Sequence, residues 1–152
     1  MPFALHPKLA RDTVEVIRLP LSRVLLMNDR RFPWLILVPE RGERDSVREI
    51  HELPAADRAE LIEEIAQASE VLKRLFQPDK LNVGALGNIV PQLHIHVVAR
   101  TAADPAWPGP VWGSGAAVAY QESELGEVRE RLAAAFGAWP AVEESAFRGR
   151  EP

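Results

Sequence analysis

The chain has 152 residues, a net charge of −4 at neutral pH and no cysteine. This length suits one domain that buries about two-thirds of its unfolded surface, and the missing thiols exclude disulfides, thiolate nucleophiles and cysteine-bound metals, which fits a reducing compartment and makes the cytoplasm the expected location. The acidic balance argues against binding nucleic acid while allowing a local basic pocket, and no run approaches the roughly 18 apolar residues of a membrane span. Residues 1–10 lack the pattern of a signal peptide.

In chain order, residues 13–19 and, beyond Pro20, 22–27 are rich in β-branched and other apolar residues and read as two strands. Residues 28–31 form a polar turn. The continuous apolar run 34–38, stopped by Pro39, has the pattern of a central strand buried on both sides. The chain is then polar as far as His51. Pro54 suits the opening of a helix, and Leu61, Ile65, Ala68, Leu72 and Leu75 recur at steps of four, three, four and three, which predicts an amphipathic helix. It ends near Phe76, because Pro78 disfavours helical geometry at Gln77.

Strands over 81–86 and 92–99, joined by the five-residue segment 87–91, are expected to be antiparallel neighbours. The proline-rich stretch 105–113 forms neither helix nor strand. Residues 122–136 read as a final helix with Leu125, Val128, Leu132, Ala135 and Phe136 on one face, and 139–152 as a partly ordered tail. The order of elements predicts an α+β fold: a five-stranded antiparallel sheet with one long helix packed on it, plus a C-terminal helix. Residues 1–115 are expected to form the catalytic domain and 116–152 an added helix and tail.

The functional signal lies in residues 91–98, Pro-Gln-Leu-His-Ile-His-Val-Val. On a strand, Gln92, His94 and His96 project from one face and Leu93, Ile95 and Val97 from the other, so one side is core and the other a polar site. Two plainer readings stand beside this one. The histidines could be satisfied within the sheet, or could present two ligands to a metal, which would need a third from His6, His51 or a carboxylate. His51 reads as a helix-entrance residue, Trp107 and Trp112 as packing anchors, and Arg100 as a solvated strand end.

Gln92-Leu93-His94-Ile95-His96-Val97-Val98 resembles the His-φ-His-φ-His-φ-φ signature of the histidine-triad (HIT) superfamily, where φ is apolar and only the first histidine is replaced, by glutamine. The resemblance spans roughly residues 3–113, including the strand ending at Asn28, the Val38-Pro39 close of the apolar strand and the glycine-polar loop before the motif. It implies a homodimeric nucleotide hydrolase or nucleotidyl transferase acting at the α-phosphorus of a purine nucleotide, a dinucleoside polyphosphate among the substrates.

By this resemblance, His94 is the nucleophile that forms a nucleotidyl-histidine intermediate, His96 supports the phosphate or leaving group, and Gln92 positions without titrating near neutral pH. Asn28 would hold the ribose, Leu26 wall the base, and Gly87 and Asn88 meet the phosphate. Ile89 stands where a hydroxyl is common. No metal ligand is assigned and no cofactor is required, although a divalent cation could arrive with the substrate. The alternatives are a catalytically weak nucleotide-binding regulatory module or a His-x-His metal-dependent enzyme.

Overall fold

The computed structural model describes residues 2–138. Thr13–Arg18 (β1), Ser22–Met27 (β2), Trp34–Pro39 (β3), Lys80–Gly84 (β4) and Ile95–Arg100 (β5) form one sheet in the order β1-β2-β3-β5-β4, every neighbouring pair antiparallel. The class, the five strands and the C-terminal helix are as the sequence predicts. Strand alternation sorts the apolar side chains onto two faces. Val24, Leu26, Leu35, Leu37, Ile95 and Val97 meet α2 (Ala55–Phe76) and α3 (Glu122–Gly137) through Leu61, Leu72, Leu132 and Phe136.

The opposite face is not simply polar, as the motif suggested. Leu25, Trp34, Ile36, Val38 and Val98 build a second apolar cluster there with Leu9, Phe32, Val90 and Val111. Every residue of β3 and β5 is consequently buried. The second cover comes from loops and from α1 (Pro7–Asp12), a six-residue helix too short to show any periodicity in sequence. Pro7 lies in its first turn, and the His6 ring accepts the Lys8 N–H at 3.1 Å to cap it.

β4 and β5 are shorter than predicted, so the connection runs from Ala85 to His94 instead of 87–91. Pro91 cannot donate to a ladder, and the Leu93 N–H goes instead to the Val47 carbonyl at 3.0 Å. The ladder stops at the Gly84–His96 pair. Glycine lets Trp112 pack closely at that end, since a Cβ on Gly84 would lie 3.0 Å from the indole and press it outward.

α2 ends as expected, with Gln77 in the left-handed region at φ 49° and its N–H returned to the Lys73 carbonyl. Glu64 interrupts its apolar face. The carboxylate is buried under the β1–β2 turn, where Oε2 accepts the Leu21 N–H at 2.9 Å. Burial raises its pKa above 4.5, against the opposing pull of the Leu21 bond. A raised folded pKa contributes stability below the unfolded value that is lost as pH rises through the folded one. Glu64→Gln should therefore remove one source of thermal stability that declines as the pH rises above 4.5, checked by melting temperature against pH in both proteins.

Arg100 is buried, contrary to its reading as a solvated strand end. Its guanidinium forms a fork to Asp104 at 2.8 and 3.0 Å, donates to Asn82 at 2.9 Å, and lies near the faces of Phe32 and Trp107. The proline-rich segment closes over this strand end and excludes the water that would otherwise solvate the charge. The expected tail over 139–152 lies outside the described residues.

Candidate active site

On the face away from α2 the second apolar cluster opens into a cavity of about 590 Å³. Its floor holds Met27, Trp34, Ile36, His94 and His96; α1 lines one side, and residues from 28–31, 86–90 and 111–117 supply the rest. The cavity therefore crosses position 115, with Gly115 and Ala117 both on its wall.

His94 sits just before β5, with its Nδ1 2.7 Å from the Gln92 carbonyl oxygen. A carbonyl only accepts, so Nδ1 carries the proton and Nε2 keeps its lone pair. Burial lowers the pKa below 6.5; the carbonyl bond opposes this, and the neighbouring charge of His6 adds to the lowering. The ring is neutral at pH 7 and can act as a nucleophile.

His96 follows on β5, its ring centroid 4.9 Å from that of His94. Its Nδ1 accepts the indole N–H of Trp34 at 2.9 Å. Burial, then the charge of His94, pushes its pKa down to about 3. Trp112 packs edge-on at 5.3 Å. It is a packing anchor that is also a cavity wall.

Gln92 does not join this row. The backbone is already irregular at its position, and the side chain turns toward the N-terminal segment, where Oε1 accepts the His6 N–H and Nε2 donates to the Ala4 carbonyl, both at 2.9 Å. Both ends of the amide are used, and the residue does not line the cavity. It serves as a latch for the chain leading into α1. Gln92→Ala should cost about 1–2 kcal/mol, the range for losing two such bonds, and hydrogen–deuterium exchange should show the His6 amide deprotected while turnover falls only a few-fold.

Asn28 lines the cavity, but its Oδ1 accepts the Tyr120 N–H at 3.0 Å, so its Nδ2 group is the end left to donate. Gly87, Asn88 and Ile89 line the rim; Gly87 adopts φ 75°, which glycine alone takes without strain. Ile89 is 79% exposed and offers no hydroxyl. Leu26 is elsewhere. It belongs to the α2-facing core, because on β2 the residues that alternate with it, Leu25 and Met27, take the cavity side.

Several cavity residues escaped the sequence reading. Asp29 and Arg31, read as part of a polar turn, form a bidentate pair at 3.0 and 2.8 Å beneath the rim. Burial favours the protonated acid, but Arg31 and the Arg31 and Val118 N–H groups outweigh it and hold the carboxyl below 3.8. Lys8, Arg11 and Asp12 reach the cavity from α1. No sequence period announced them; Pro7 was the only local helix signal. Trp34 gave a β-strand signal but not its polar partner, since that depends on the β3–β5 register.

Among the described residues no group of three or more histidine, cysteine or acidic side chains could hold a metal. Nδ1 of each motif imidazole already has a partner. None of the described helices is long and apolar enough to cross a membrane.

A family model, the HIT domain, matches residues 9–103. The fold is similar to that of a histidine triad protein from Bradyrhizobium japonicum at 42% identity and TM-score 0.85, covering 90% of this chain and 99% of that one. It is also similar to a histidine triad protein from Marinobacter aquaeolei at 45% identity and TM-score 0.86, covering 91% and 99%. Plasmodium falciparum diadenosine triphosphate hydrolase shares the fold at 13% identity and TM-score 0.55, covering 84% and 77%. No curated protein matches the sequence.

Proposed function

The chain belongs to the HIT domain family, and from that premise we propose that it is a nucleotide hydrolase or nucleotidyl transferase acting at the α-phosphorus of a purine nucleotide, with a dinucleoside polyphosphate as the substrate class. The observation that carries this reading is His94, held by the Gln92 carbonyl so that Nε2 keeps its lone pair at the cavity floor. In the first step Nε2 forms a bond to the α-phosphorus while the bond to the leaving phosphate oxygen breaks, its electron pair leaving with that oxygen. The positive charge that develops on the ring is stabilised by the carbonyl at Nδ1.

Water then attacks the phosphorus, the N–P bond breaks, and the nucleoside monophosphate leaves as the water proton passes to solvent. His96 supports the transferring group, Asn28 offers its Nδ2 to the ribose, and Gly87 and Asn88 border the phosphates. The chemistry needs no cofactor, and a divalent cation would enter only with the substrate. Incubation with diadenosine tetraphosphate and adenosine phosphoramidate, followed by product analysis and mass spectrometry of the quenched protein, tests the reading. Nucleoside monophosphate and a nucleotidyl-protein adduct are expected; neither product on either substrate would overturn it.

A second reading, a regulatory module that binds nucleotide with little turnover, is favoured by one observation: the residue at the first motif position is spent on the N-terminal segment. Calorimetric binding without product would select it. We further read the chain as a cytoplasmic homodimer, on family grounds and on its cysteine-free composition. Catalysis is assigned to residues 1–115, with 116–152 in support. Light scattering at a mass twice that of the chain is the expected result.

A further inference from the structure

The indole of Trp34 is donor-only, and its N–H is aimed at Nδ1 of His96 at 2.9 Å. We infer that Trp34 is a positioning residue which fixes His96 in the tautomer protonated at Nε2, so that His96 donates a hydrogen bond throughout the reaction and never transfers a proton. Three features of the site support it.

A second proton on His96 would have to enter at Nδ1, where it would face the indole N–H head-on with no acceptor between them. The indole cannot turn to relieve that encounter, because Trp34 is only 6% exposed, lies at the start of β3 and is packed edge-on against Phe32 and Trp112. The other titratable group against the His96 ring is His94, whose charge would further disfavour an imidazolium at His96. Ordinary histidine pairs exchange roles as protons move; this pairing cannot, since an indole has no lone pair to offer.

One consequence follows for the chemistry, and it rests on the proposed reaction. With His96 confined to donation, Gln92 engaged elsewhere and Ile89 apolar, the leaving phosphate departs as an anion stabilised by a preformed donor, without receiving a proton from His96.

The test has one arm independent of that reaction. Long-range ¹H–¹⁵N spectra of the wild-type protein should show His96 with Nδ1 unprotonated and Nε2 protonated, unchanged as the pH is lowered through 6.5. A proton on Nδ1, or titration of this ring near neutrality, would overturn the inference. In Trp34→Phe the same ring should populate both tautomers. Retention of the Nε2–H form alone in this variant would also count against it.

In the kinetic arm, Trp34→Phe should lower kcat roughly tenfold, the scale of one hydrogen bond made in the transition state, with KM changed less than about twofold. A raised KM at unchanged kcat would mean that Trp34 is only a cavity wall. Should the spectra hold while the wild-type protein turns over no nucleotide, the reaction assigned above fails and the tautomer lock stands.

Discussion

Changing His94 to alanine is expected to reduce turnover of a dinucleoside polyphosphate by at least about three orders of magnitude, because the proposed nucleophile itself is removed and not merely an interaction that assists it. The quenched variant should carry no nucleotidyl adduct, while the wild type does. Its nucleotide affinity should change little, since the ribose and phosphate contacts proposed for Asn28, Gly87 and Asn88 remain. A variant that keeps more than a tenth of wild-type turnover would remove His94 from the mechanism.

The pH profile supplies a second check on the same residue. The folded pKa of His94 lies below 6.5, so its lone pair remains available as the pH falls past that value. Turnover should keep more than half of its plateau value at pH 6.5 and reach its midpoint only at lower pH. A profile already half lost at 6.5 would indicate a ring that is less buried, or a different essential base.

The largest expected effect on stability comes from Arg100→Ala. Its guanidinium makes three hydrogen bonds, two to Asp104 and one to Asn82, and both Arg100 and Asp104 are shielded from water. Removing the cation leaves a buried carboxylate without its charge partner, a loss that costs about 3–5 kcal/mol. Arg100→Lys should recover only part of this, because an ammonium cannot reproduce the two-pronged geometry. Denaturant unfolding would measure both. A loss under about 1 kcal/mol for Arg100→Ala would show that water enters and solvates Asp104.

The same pair has a pH signature. Burial pushes the Asp104 carboxyl upward, but the bonds from Arg100 and from the Thr101 and Ala106 N–H groups prevail and hold it below 3.8. A depressed folded pKa gives stability that is present above the unfolded value and lost as the pH falls through the folded one. Acid unfolding of the wild type should draw partly on this group. In Arg100→Ala that portion should shrink, since the strongest of the bonds behind the depression is gone while those from the Thr101 and Ala106 N–H groups remain. The site is affected too: the segment closed down by Arg100 carries Val111 and Trp112 onto the cavity wall, so milder Arg100 variants should also raise KM.

Short-range pattern was enough to place most of the framework. The apolar run of β3, the four-three spacing of α2 and the proline that stops it are each set by neighbours within a few residues, and the structure has them where that spacing puts them. The motif histidines were legible for a similar reason: two imidazoles two residues apart, beside a strand, are rarely accidental. By contrast α1 has only six residues, and its stability comes from Leu9 in the second cluster, from the His6 cap and from Gln92, more than eighty positions away.

The sequence by itself determined that an α+β sheet would carry His94 and His96 at one place, because alternation and helical repeat are properties of the local chain. Tertiary structure alone decided what each polar atom would face. It sent Gln92 to the N-terminal segment, turned Leu26 into the α2-facing core, buried Arg100 and set an indole N–H against His96. Those outcomes depend on register between strands and on loops that close over them, and a hydrogen bond reaches about 3 Å in space with no regard for separation along the chain.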